Sequence, residues 1–231
     1  MSFPFYVNPE QMTQDKAEFA RKGIARGKSI VTLEYDEGVL MVAENPLKLK
    51  KLGEIYDRIA FAGVGKFSEF DRLRKMGVQW ADVEGYRFSR DDVRAKALSN
   101  LYSQALGEEF IRSPKPFEVE IVVAEVGDPR FVGHEHNALY RVRFDGSISD
   151  ETGCCVIGGN VEPLENHLES SYREGMSLPE ALRVGRDALS RAENGNPNLG
   201  ASNLEVCLLD RNQEGRKFRR LAPGEITRLL E

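Results

Sequence analysis

Two stretches of this chain, Val39-Leu40-Met41-Val42 and Ile121-Val122-Val123, are apolar at every consecutive position. Successive side chains of a strand point to opposite faces, so a strand built from either stretch has to be covered on both sides. Sheet must pack on sheet, with helices outside. The order of the remaining segments agrees. Strands at residues 30–35, 39–43 and 55–62 precede two helical patterns, and strands at 117–126, 139–144 and 154–157 precede another helix pair. Two rounds of strands followed by paired helices predict an α+β fold, a four-layer αββα sandwich.

Local punctuation supports these boundaries. Asp36-Glu37-Gly38 is a short polar connection with glycine where a hairpin needs positive φ, and Asp145-Gly146 reads as a turn between the strands at 139–144 and 154–157. The strand at 55–62 ends at Gly63-Val64-Gly65. Phe67, Phe70 and Leu73 then mark one helix. Ser89 with Asp92 is a capping pair for the next, whose face is Val93, Ala97, Leu98, Leu101, Tyr102, Ala105 and Leu106. Leu164, Leu168 and Tyr172 mark a third, and Ser177 with Glu180 caps a fourth carrying Ala181, Leu182, Ala188, Leu189 and Ala192. Residues 194–198 form a loop by composition, followed by a strand at 204–209 and a short final helix from Pro223.

The front end is equally well marked. Asn8 can cap a helix with its side-chain oxygen, Pro9 sits at the first helical position, and Gln11 stands three residues after the cap as a reciprocal partner. Met12, Ala17, Phe19, Ala20 and Ile24 form one narrow apolar stripe. Gly23 weakens the helix and Gly27 ends it. Ahead of it lies an aromatic-rich flap, Phe3-Pro4-Phe5-Tyr6.

With 231 residues, 41% of them hydrophobic, the chain can build one sizeable core, and no composition shift marks a linker, so one domain spanning 1–231 is the economical reading. Net charge is −5 with Lys and Arg scattered, which leaves no footprint for nucleic acid. No apolar run approaches the roughly 20 residues of a membrane helix, and the N-terminus lacks a secretory pattern. A soluble, cytoplasmic protein with no membrane partner is expected. Cys154, Cys155 and Cys207 lie in apolar segments and imply buried thiols without disulfides.

Rival chemistries fail on their details. Gly63-Val64-Gly65-Lys66 imitates a phosphate loop, but Ala60 replaces the first glycine and Phe67 the hydroxyl residue that would bind magnesium. His134 and His136 flank Glu135, yet only one other histidine exists and two cysteines are adjacent, a poor layout for a metal site. Cys154-Cys155 reads as core, because reactive thiols need accessible, electropositive surroundings. No cofactor and no metal are expected.

At this point the order of several motifs becomes recognisable. Ser2-Phe3-Pro4-Phe5-Tyr6, Asn8-Pro9-Glu10-Gln11 and Glu18-Phe19-Ala20-Arg21-Lys22-Gly23-Ile24 are followed by Tyr56-Asp57-Arg58 and Gly65-Lys66-Phe67-Ser68-Glu69-Phe70-Asp71. Tyr172-Arg173-Glu174 then leads into Ser177-Leu178-Pro179-Glu180-Ala181-Leu182. Nearly end to end, the chain resembles the α-type subunits of the 20S proteasome, in the bacterial form of actinobacteria. The resemblance implies the fold of N-terminal nucleophile hydrolases, a homo-heptameric α ring, and stacking on rings of β subunits that hold the threonine peptidase sites.

The resemblance also implies that this subunit does not cut. Active β-type relatives free a threonine at the leading strand and use its own amine or a nearby lysine as base. Aligned with that pattern, Lys28 stands at the nucleophile's position, Glu44 at the supporting acid and Lys51 at the supporting lysine. Gly159, Pro197 and Gly200 fall where active subunits carry polar groups. No residue is expected to be catalytic. Residues 1–8 become a gate segment, with Ser2, Phe3, Pro4, Phe5, Tyr6, Val7 and Asn8 around a pore that admits unfolded protein substrates. Residues 9–27 become the N-terminal helix, with Pro9 at the gate turn and Phe19 on the ring helix, and 28–231 the sandwich. Lys51 is expected to line a pocket that receives the C-terminal carboxylate of an AAA+ ring ATPase activator. Two other readings stay open: a self-processed hydrolase with its own peptidase or amidase activity, and an isolated binding domain of the same fold.

Overall fold

The computed structural model describes residues 8–47, 49–129, 133, 135–192, 196 and 199–231. Its first helix, α1 (Pro9–Ala25), delivers the chain into the hairpin β1 (Ile30–Tyr35) and β2 (Gly38–Glu44), followed by β3 (Leu52–Tyr56) and β4 (Ile59–Gly65). Two helices follow, α2 (Phe67–Arg87) and α3 (Ala95–Arg112), and then the strands β5 (Val119–Glu125), β6 (Ala138–Val142), β7 (Ile148–Glu151) and β8 (Cys154–Ile157). The pair α4 (Glu162–Ser171) and α5 (Leu178–Ser190), the strands β9 (Leu204–Asp210) and β10 (Phe218–Arg220), and α6 (Pro223–Leu230) complete the order.

The strands form two antiparallel five-stranded sheets, β10-β9-β2-β1-β8 and β3-β4-β5-β6-β7. The apolar runs explain the layers. Val39, Met41 and Ala43 of β2 face Val122 and Ala124 of β5 between the sheets, together with Ala60, Ala62 and Val64 of β4. Leu40 and Val42 point the other way, onto Leu182, Ala188 and Leu189 of α5 and Leu164 and Leu168 of α4. Ile121 and Val123 likewise meet Leu98, Tyr102 and Leu106 of α3 and Phe70 and Leu73 of α2. Each strand thus feeds two cores, and every fully buried Leu or Val in them contributes about 1.5–3 kcal/mol. This is the αββα sandwich.

Helix α1 lies outside that repeat. Ala20 and Ile24 enter the layer between the sheets while Met12 and Phe19 stay about half exposed. Asn8 caps it as expected, its Oδ1 accepting from the Glu10 N–H at 3.1 Å. Gln11 does not reciprocate; it donates to Asp15 Oδ1 at 2.7 Å, one turn on. Gly23 sits inside the helix because a Cβ there would stand 2.0 Å from Glu118 Oε2.

Four expectations need correction. The strand expected at 55–62 is a hairpin, β3 and β4, turning at Asp57-Arg58. Gly63-Val64-Gly65, where the strand is expected to stop, is the last part of β4. Gly65, at φ +98°, presses against the Glu118 carbonyl, where any Cβ would clash. Ser89 caps only a single tight turn, Arg90–Asp92, and α3 begins at Ala95, whose N–H is taken by Glu125 Oε2 of β5 at 2.8 Å. Asp145-Gly146 turns into β7, which pairs with β6, so β8 is one strand further on.

Candidate functional site

The antiparallel register of β1 and β2 places Ile30 opposite Ala43, so the residue entering β1 and the last residue of β2 lie side by side. There the structure brings together the three residues singled out from the sequence. Lys28 Nζ is 3.1 Å from Glu44 Oε1, and Lys51 Nζ donates to the Lys28 carbonyl at 3.1 Å and to the Glu44 carbonyl at 3.2 Å. The Glu44 side chain is buried and that of Lys28 one third exposed.

Lys51 is held from behind by a residue that sequence reasoning missed. Glu205, buried in β9, accepts the N–H of Lys51 at 3.1 Å and of Leu52 at 3.3 Å, and the Asn45 amide at 2.7 Å. Arg220 pairs with its other side. The signal was present: Glu205 is an acid flanked by Leu204 and Val206 near the start of a largely apolar strand, and a buried charge must be paired. Burial pushes the Lys51 ammonium down to about 8, the Lys28 charge adds to the shift, and Glu205 and Glu44 oppose it.

Two cavities flank Lys28. One, of about 180 Å³, is lined by the cations Arg26, Lys28 and Lys51 and by apolar Leu49, Val64 and Phe67. The other, of about 120 Å³, lies over Ser29, Gly159 and Asn160. The Ser29 hydroxyl is buried and donates to the Gly158 carbonyl at 2.8 Å. Gly159, at φ +67°, comes so close that a Cβ would stand 2.8 Å from Ser29 Oγ. Gly200 opens a short helical turn, Ala201–Asn203, with open space around it.

The other expected site residues are dispersed. Ser2 to Val7 and Pro197 fall outside the described residues, as does His134. Asn8 and Pro9 are exposed at the start of α1. Phe19 lines a separate groove of about 710 Å³ with Met12, Ile111, Pro114 and Pro116, and Lys115 Nζ sits 5.6 Å from its ring centroid. That groove shares no residue with the Lys51 pocket. Burial pushes the thiols of Cys154 and Cys155 up, away from thiolate chemistry. Among the described residues no group of His, Cys, Asp or Glu is placed to hold a metal, and no helix is long and apolar enough to cross a membrane.

The sandwich of two five-stranded antiparallel sheets, entered by a helix, has Lys28 ahead of β1 beside Glu44 at the end of β2. The family model described as Proteasome subunit matches residues 24–209. This chain belongs to the proteasome subunit family. A protein named Proteasome subunit alpha from Streptosporangium roseum is 53% identical over 232 residues, covering 100% of this chain and 87% of that protein. Proteins of the same name from Thermomonospora curvata and Streptomyces coelicolor are 51% and 50% identical, again over 100% of this chain and over 98% and 91% of their own lengths. Within the proteasome family the chain takes the α-subunit role, which carries with it ring assembly with β subunits.

Proposed function

We propose that this chain is a non-catalytic α subunit that gates entry to the proteasome core and docks its activators. One observation carries the reading: at the head of β1, where a nucleophile would be freed, stands Lys28 paired to Glu44, with α1 packed by Ala20 and Ile24 into the layer between the sheets. A lysine ammonium held by a carboxylate has no lone pair to offer a peptide carbonyl. Next to it the Ser29 hydroxyl is turned into the Gly158 carbonyl and is crowded by Gly159, so neither residue is poised to become a terminal nucleophile.

On this reading seven copies form a homo-heptameric ring in the cytoplasm. Head-to-tail contacts through α1, including Pro9 and Phe19, close the circle, because such contacts present two different patches and close when their rotation fits. The half-exposed apolar face of α1 supports that assignment. Ser2 to Asn8 serve as the gate over the pore. Unfolded substrates pass between them to the peptidase sites of the β rings.

The Lys51 pocket receives the terminal carboxylate of an AAA+ ring ATPase. Three lining cations, an apolar rim and a partly desolvated ammonium favour a charge-assisted bond to a chain end. The test of the gate is deletion of residues 2–8 in the chain co-assembled with β subunits. Peptide hydrolysis should rise severalfold without an activator, and an unchanged rate contradicts the gate. Lys51→Glu in the same assembly should abolish activator stimulation and leave basal hydrolysis intact.

A further inference from the structure

We infer that Lys51 is a site of acylation by small acyl phosphates, and that the modification closes the pocket to carboxylates. The consequence for carboxylates rests on the docking role proposed above; the acylation itself does not.

The geometry comes first. The 180 Å³ pocket is lined by Arg26, Lys28 and Lys51 and by no carboxylate, because Glu44 spends its charge on Lys28 behind the wall. A ligand entering it is therefore selected for negative charge. The phosphoryl end of an acyl phosphate is a compact dianion suited to Arg26 and Lys28, and the small apolar surface of Val64 and Leu49 accommodates an acetyl-sized group. The Lys51 amine is fixed at the same wall by the carbonyls of Lys28 and Glu44, so the acceptor atom and the anion cradle are held together.

Electrostatics then enlarges the share of amine relative to an ordinary lysine. Facing Lys51 are Lys28 from the segment before β1, Glu44 at the end of β2 and Glu205 from β9; burial and the Lys28 charge outweigh the two acids. The reaction is a simple acyl transfer. The Lys51 nitrogen lone pair attacks the acyl carbon and a C–N bond forms. The bond from that carbon to the phosphoryl oxygen breaks, and phosphate leaves with the electron pair. The nitrogen's surplus proton passes to water. The product is a neutral amide, which removes the Lys51 charge and fills the space beside Arg26 and Lys28 that a carboxylate would enter.

The test treats the folded chain with acetyl phosphate at neutral pH and follows site occupancy by peptide mass spectrometry. Exposed Lys22 and Lys75 serve as internal references. Lys51 should be acetylated about tenfold faster than either, given its larger neutral fraction. In urea the three rates should converge. Native labelling of Lys51 no faster than that of Lys22 overturns the inference. A second arm assembles the acetylated chain with β subunits: loss of activator stimulation with unchanged basal hydrolysis upholds both claims. Fast labelling with stimulation retained upholds the acylation site and overturns the docking role of Lys51.

Discussion

Both ends of the sandwich bury charge, and they use it differently. At the end where β4 begins, Glu125 accepts the Ala95 N–H and pairs with Arg94 at 2.9 Å, with Arg58 at 4.0 Å. Close by, Lys217 donates to the Arg211 carbonyl at 2.8 Å and lies 3.9 Å from Asp128. These side chains tie the start of α3 and the approach to β10 onto the sheets. That end borders a cavity of about 500 Å³ whose wall mixes Arg58 and Lys217 with Asp57, Asp91 and Asp128. At the other end, Lys28, Glu44 and Lys51 are as well connected, Lys28 and Lys51 line a smaller cavity with no carboxylate in its wall, and burial lowers the Lys51 pKa to about 8. The first arrangement spends charge on fixing the fold. The second leaves a cavity whose charged wall residues, Arg26, Lys28 and Lys51, are all cations.

The sharpest way to break this contrast is Glu125→Ala. Removing one side of a buried pair leaves its partners in low dielectric and takes a helix N-terminus off its acceptor, so a loss of about 3–5 kcal/mol is expected in urea unfolding. A loss below about 1 kcal/mol, the range of an exposed ion pair, would put this end in the same class as the surface.

A smaller effect sharpens the other side. The Lys51 pKa is lower in the fold than in the unfolded chain, near 8 against an ordinary value of 10.5. Between those values the unfolded state binds more protons, so stability rises with pH across that window and the cost of the charged form is felt in full below it. Relative to Lys51→Met, the native chain should gain about 1.5 kcal/mol between pH 8 and pH 9.5. Equal pH dependence in the two proteins would mean that Lys51 is not desolvated.

What could be read in advance follows the same division. The layers were legible because Leu40 and Met41, or Ile121 and Val122, are neighbours in sequence that serve different cores, and burial on both faces leaves no polar positions. The edge strands β7 and β10 were not, since Ile148-Ser149-Asp150-Glu151 and Phe218-Arg219-Arg220 carry the polar residues of exposed edges. The start of α3 was misplaced because its acceptor, Glu125, comes from a strand 30 residues away, and a local capping pair at Ser89 offered a plausible substitute. Lys28, Glu44 and Lys51 could be nominated by resemblance to relatives. Their joining through two backbone carbonyls, and the staple at Glu205, depend on register between strands that no spacing rule encodes.

The central claim is that the chain keeps α1 and its leading residues and makes no nucleophile of its own. The direct measurement is intact mass together with peptide hydrolysis of the purified chain, alone and after co-assembly with β subunits. The account predicts a chain not shortened at Lys28 or Ser29 in both samples, inert alone and active only in the assembly. A chain beginning at Lys28 or Ser29 that hydrolyses peptides unaided would contradict it.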